Sequence, residues 1–287
     1  MSKKNLVFFL IFFSLNSFSQ KSEENSFSTF EDTLKKLSKT ILNGSNNKEK
    51  NIANYYFLTT LEKALRMNNS FSYPFDSLNT IARLTAPDNT FRIFNWHIPK
   101  DDGTFEYFGF VQTIFKKQNL IFRLVDKSAE IKSPEFKTLE YSQWFGAHYY
   151  EIIYVKEKRN KYYTLLGWDG NDRISNKKII DVIHFTKNGT PKFGAAIFKM
   201  EKKNQNRVIF EYSSEASMSV RFDKHENQIV FDHLSPKSEQ FQGQQQHYGP
   251  DFSYDALRFK KGKWNYFRDV DARNEKSPKD KLYKKPK

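Results

Sequence analysis

FRIFNWHIPKDDGTFEYFGFVQTIFKKQNLIFRLV, residues 91–125, decides the fold. It holds three runs dense in Phe, Ile and Val: FRIFNWHI from Phe91, TFEYFGFVQTIF from Thr104 and LIFRLV from Leu120. Aromatic and β-branched residues at this density favour pleated strands. The breaks between them are polar. Asp102-Gly103 tolerates positive φ at a two-residue hairpin turn, and Lys116 to Asn119 makes a longer polar connection. Nothing between the runs is long enough for a crossover helix, so neighbouring strands must pair antiparallel.

Downstream the same pattern repeats. Strand-like runs begin at Tyr149 (YYEIIYV), Lys161 (KYYTLLGW), Lys178 (KIIDVIHF), Arg207 (RVIFEYS), Ser219 (SVRF), Gln228 (QIVFDHL), Ala256 (ALRF) and Lys263 (KWNYFRDV). Residues 76–272 are therefore expected to form a mainly β (α+β) antiparallel domain. Its sheet should be a meander, curved into a barrel-like or sandwich-like shape. A small β-propeller is the alternative, because aromatic hairpins recur at fairly even spacing. LLGW at Leu165 and KKGKW at Lys260 are faintly alike, but no third copy follows. The missing repeat favours the meander.

Residues 20–75 read as a helical hairpin. Ser28 and Glu31 have capping-box spacing, and Phe30, Leu34, Leu37 and Ile41 share a helical face. Gly44 is the expected stop. Ile52, Tyr55, Tyr56, Leu58, Leu61 and Leu65 supply the stripe of a second helix, with the Tyr55-Tyr56 pair expected in the core.

Two ends remain. Lys3 and Lys4 precede an apolar run, Leu6 to Leu15, then Asn16-Ser17-Phe18-Ser19 and Gln20. A positive start, a short apolar stretch and small residues before a cut make a secretory signal peptide over residues 1–19. About 20 apolar residues are needed to cross a bilayer, so no membrane span is expected once the signal is removed. The chain has no cysteine, which removes disulfides, thiolate metal sites and lipidation at a cleavage-site cysteine. Net charge is +14, and residues 273–287 concentrate lysine with one aromatic, Tyr283, so a disordered basic tail is expected there. Export argues against nucleic acid as the partner. Scattered lysines serve solubility, and an anionic surface is the remaining target for the tail.

Zinc-protease, nucleophile-elbow and phosphate-loop motifs are absent, so no cofactor and no metal is expected. One stretch departs from hairpin economy: SPKSEQFQGQQQHYGPDFSYD, from Ser235 to Asp255, shows no strand pattern. Long loops in compact domains are often functional. Gly249-Pro250 reads as a rigid turn. It sets Asp251 and Asp255 beside His247, Tyr248 and Tyr254, with Asp232 and His233 at the end of the preceding strand. A His with two or three carboxylates can bind a hard metal or run acid–base chemistry, and the segment can also present a ligand or glycan surface. The carboxylates can equally cap turns. A second candidate is GWDGND: Trp168 as a platform for a sugar ring, Asp169 and Asp172 as acceptors for its hydroxyls. Packed inward, Trp168 would instead be the base of a polar loop. WFGAHYY, Trp144 to Tyr150, reads as core, with His148 structural.

YYTLLGWDGND, KKIIDVIHF, PKFGAAIF, RVIFEYSSEASMSVRFD, IVFDHLSP and YGPDFSYDALRFKKGKW resemble an uncharacterised exported protein family typical of the Bacteroidota. The similarity runs from about Tyr162 to Asn274 and includes the Ser-Phe-Ser ending of the leader. No activity comes with it. It implies export and a coherent domain. The leading expectation is a noncatalytic envelope module, periplasmic, associated with the outer membrane or secreted, that binds a ligand, a glycan or an envelope protein through one end of its sheet. The rivals are a hydrolase using Asp251, Asp255, His247 and Asp232, and a structural or assembly protein of the outer envelope.

Overall fold

The computed structural model describes residues 26–157, 160–201 and 203–272. The expected signal peptide and basic tail lie outside the described residues. Two helices lead: α1 over residues 26–43 and α2 over Asn47–Arg66. Gly44 and a short turn separate them, as the sequence predicts. Asn46 caps α2 by accepting from the Glu49 amide at 3.0 Å, while Glu49 reaches back to the Ser45 amide and hydroxyl at 2.8 Å. Ser28 is not a cap, since helix already runs from residue 26. Glu31 is buried and serves the following loop, accepting from the Tyr73 hydroxyl and the Ser77 amide, each at 2.6 Å.

The strands sort into three sheets. The first is a meander of β1 (Ala82–Thr85), β2 (Phe91–Pro99), β3 (Phe105–Phe115) and β4 (Gln118–Val125). The second comprises β5 (Leu139–Glu140), β6 (His148–Glu157), β7 (Asn160–Asp169), β8 (Ser175–Phe185) and β9 (Pro191–Phe193), in the order β5-β9-β8-β7-β6. The third draws on β10 (Phe198–Lys199), β11 (Asn204–Gln205), β13 (Val220–Asp223), β14 (Gln228–Pro236), β15 (Tyr248–Lys260) and β16 (Lys263–Phe267). Between β11 and β13, the strand β12 (Val208–Ser213) joins β8 of the second sheet instead. Pairing is antiparallel except for the short β10–β16 ladder, which is parallel.

Alternation along the strands stacks these sheets into layers. On β2, Phe94, Trp96 and Ile98 meet Leu34, Phe57 and Leu61 of the helices. The opposite face, with Phe91 and Ile93, meets Tyr149, Leu165 and Ile179 of the second sheet. That sheet's far side, with Leu166, Ile180 and Val182, packs on Ile229, Leu257 and Trp264 of the third. The order is helices, first sheet, second sheet, third sheet. A sheet buried on both faces needs apolar residues at nearly every position, which is why Phe91 to Trp96 is buried without a break. The result is a layered sandwich with no closed barrel. Its sheets stack in series rather than radially about a central channel, as propeller blades do.

The Tyr55-Tyr56 pair is a correction. Ala53, Asn54, Phe57, Leu58 and Leu61 face inward, and at about 100° per residue this turns positions 52, 55 and 56 outward. Ile52, Tyr55 and Tyr56 are exposed. The polar residue in their place is useful: Asn54 accepts from the Trp96 indole at 2.7 Å. Trp144, Phe145 and Tyr149 are core, as expected.

Candidate functional site

The third sheet positions the principal candidates. β14 and β15 pair from Gln228–Arg258 to Pro236–Tyr248. The stretch expected to be loop is therefore half strand: only residues 237–247 connect, and Gly249 and Pro250 sit in the ladder opposite Ser235 and Leu234. Neither residue signals a strand. The neighbouring β14 supplies the pairing that their local preference does not.

One irregularity breaks that ladder. Asp232 faces Tyr254 and Leu234 faces Pro250, so residues 251–253 stand opposite His233 alone. Asp251 folds back onto this bulge, accepting from the Ser253 amide at 3.0 Å and its hydroxyl at 2.7 Å. Burial opposes ionisation of its carboxyl, but the Ser253 bonds and the nearby His233 outweigh this and hold it below the usual range. Phe252 takes a left-handed φ of 70° and is 96% exposed.

Around the bulge the predicted residues divide. Asp255 is buried and accepts from His233 Nδ1 at 2.7 Å, the Tyr266 hydroxyl at 2.6 Å and the Asp269 amide at 3.2 Å. Burial, then the Asp255 carboxyl, pushes the Tyr266 phenol up. Asp232 accepts from the Ser219 amide at 2.7 Å, which ties down the next strand. These residues border a cleft of about 470 Å³. Tyr254 lies elsewhere, packed with Val230, Ala256 and Val270 in a small cluster.

His247 and Tyr248 belong to a different and larger cleft of about 790 Å³, between the ends of the second and third sheets. His247 stacks on Phe241 with ring centroids 4.3 Å apart. The Tyr248 hydroxyl accepts from the Gly243 amide at 2.9 Å. Both contacts brace the 237–247 loop as one wall. Ser213 and Ser214, at the end of β12, and Ser235 and Gln246 add neutral polar groups, and Ile174 adds an apolar one.

The GWDGND segment is tied inward. Asp169 is buried and accepts from the Tyr107 hydroxyl and the Asn171 amide, each at 2.8 Å. Burial raises its carboxyl above the usual range despite those bonds. Asp172 caps the turn by accepting from the Ile174 and Ser175 amides at 2.9 Å. Trp168 packs edge-on against Phe105 and His97. Three of the ten predicted positions thus serve structure here. Among the described residues, no three His, Asp or Glu side chains are grouped to hold a metal ion.

No protein-family model matches the chain, and no curated protein or solved structure does. Sequence reasoning missed Phe241, Ser213, Ser214 and Tyr266 as members of the two clefts, and Arg268 as a neighbour of His233. Tyr266 lies opposite Leu257, on the same face as Asp255, a relation that strand alternation exposes only once the β15–β16 register is known.

Proposed function

We propose that this protein is an exported module of the cell envelope that binds an uncharged, hydroxyl-rich ligand, of the glycan class, at one end of its outer sheet. The observation carrying the reading is the 790 Å³ cleft with a braced aromatic wall and neutral hydroxyl and amide groups. Ligand sites are concave, with aromatic surface and a few fixed polar groups. Tyr248 and the His247–Phe241 stack offer faces for a sugar ring, and Ser213, Ser214, Ser235 and Gln246 offer hydrogen bonds. The charged neighbours Arg173, Lys237 and Glu215 are of mixed sign, which suits a neutral ligand.

Support for export comes from Lys3-Lys4 and the Leu6–Leu15 run, together with the resemblance over residues 162–274 to exported proteins of the Bacteroidota. Among the described residues no helix is long and apolar enough to cross a membrane. A thermal-shift screen against neutral oligosaccharides and cell-wall fragments tests the binding reading, because a native-state ligand at 100 times its Kd adds about 2.7 kcal/mol of stability. N-terminal sequencing of protein recovered outside the cytoplasm should begin at Gln20.

A second reading, contact with another envelope protein, is favoured by the outward Ile52, Tyr55 and Tyr56 on α2.

A further inference from the structure

The smaller cleft has a chemistry of its own. Asp255 holds the His233 imidazole through Nδ1, and its remaining positions are filled by Tyr266 and the Asp269 amide. An imidazole that donates Nδ1–H to a carboxylate keeps its lone pair on Nε2. Arg268 Nη2 lies 3.4 Å from that nitrogen, long for a hydrogen bond. His233 borders the 470 Å³ cleft, whose apolar lining includes Phe210, Phe231, Leu234 and Met200.

Backbone irregularity coincides with this pair. The single break in the β14–β15 ladder falls opposite His233, and beside it Phe252 adopts a left-handed φ that is costly for a residue with a ring on Cβ. Bulges beside functional sites re-aim a side chain. Asp255 already has two other donors, so satisfying its charge does not by itself require the imidazole.

We propose that His233 is the general base of a hydrolytic site for uncharged carboxylic esters with an apolar acyl group, and that Asp255 is its positioning residue. Nε2 takes a proton from water as the water oxygen bonds to the ester carbonyl carbon. The bond from that carbon to the alcohol oxygen then breaks, and the alcohol departs with the proton returned by the imidazolium. Ester and water yield acid and alcohol, with no change of oxidation state. Arg268 is placed to meet the carbonyl oxygen as it gains charge. Lys203, Glu201 and Asp232 also border the cleft, and its carboxylates Glu201, Asp232 and Asp255 outnumber Lys203, which disfavours an anionic substrate. The two clefts share no lining residue, so this activity stands or falls apart from glycan binding.

The test follows p-nitrophenolate release from the acetate, butyrate and octanoate esters by the full chain. We expect saturable hydrolysis that favours butyrate or octanoate and rises with pH through one ionisation. Asp251, Asp255, Tyr266 and Arg268 are the titratable or charged groups around His233. His233→Asn keeps a donor for Asp255 but removes Nε2. It should lower kcat about 100-fold or more and abolish the pH step. Asp255→Asn should lower kcat with little change in KM. His233→Gln, with melting curves for all variants, covers a failure of the first variant to fold. No hydrolysis of any of the three esters above a free-imidazole control overturns the proposal, as does an unchanged rate and pH profile in a folded His233 variant.

Discussion

Arg207 Nε lies 3.1 Å from Asp181 Oδ2, and neither side chain is exposed to solvent. The pair ties the residue just before β12 to β8 in the middle of the stack. Asp181 also accepts from the Tyr149 hydroxyl at 3.3 Å and from the Val182 amide at 2.8 Å, and Arg207 donates to the Pro134 and Lys137 carbonyls. Removing one member strands the other charge, which typically costs about 3–5 kcal/mol. Asp181→Asn or Arg207→Met should therefore shift the urea midpoint sharply downward, whereas Asp181→Leu with Arg207→Met should recover much of the loss. A loss in the double variant equal to the sum of the Asp181→Leu and Arg207→Met losses would show that the pair is not coupled.

Acid should loosen the layer between the first and second sheets. The rings of His97 and His148 stand 5.2 Å apart there. Burial, then the neighbouring imidazole, lowers His97 to about 4, and burial lowers His148 as well. The unfolded chain takes up these protons near pH ~6.5 while the folded chain resists. Stability is thus complete above that value and falls as pH drops toward 4, by about 3 kcal/mol for His97 alone. Melting temperatures measured from pH 7.5 to 4 should fall less steeply in His97→Phe.

The β3–β4 turn carries removable strain. Phe115 pairs with Gln118, leaving Lys116 and Lys117 as a two-residue turn with φ of 49° and 66°. Such turns prefer Asn-Gly. Replacing the pair by Asn-Gly should add about 1 kcal/mol and raise the melting temperature by about 2–4 °C. A lowered melting temperature would mean that the lysines make contacts worth more than the strain.

Much of the fold was legible because strands buried on both faces announce themselves. FRIFNWHI, KIIDVIHF and QIVFDHL each coincide with an observed strand. The two- and three-residue strands β5, β9, β10 and β11 are too short to carry a periodic signal: β9 and β10 line up on the longer β8 and β16, and β5 and β11 pair with them in turn. Tyr55-Tyr56 was misplaced because aromatic character outweighed helical phase. The candidate residues were legible as a list but not as a set. His233 meets Asp255 through a bulge that shifts register, while His247 and Tyr248 join residues some 30 positions earlier, at the end of β12. Pairings of that kind are fixed by tertiary packing.

Binding at the larger cleft is tested most directly by saturation-transfer NMR of neutral oligosaccharides with the purified protein. The cleft reading predicts transfer to sugar-ring protons that is lost in Tyr248→Ala and Phe241→Ala and retained in His233→Asn. Absence of transfer across the panel, or transfer undiminished in both aromatic variants, would contradict it.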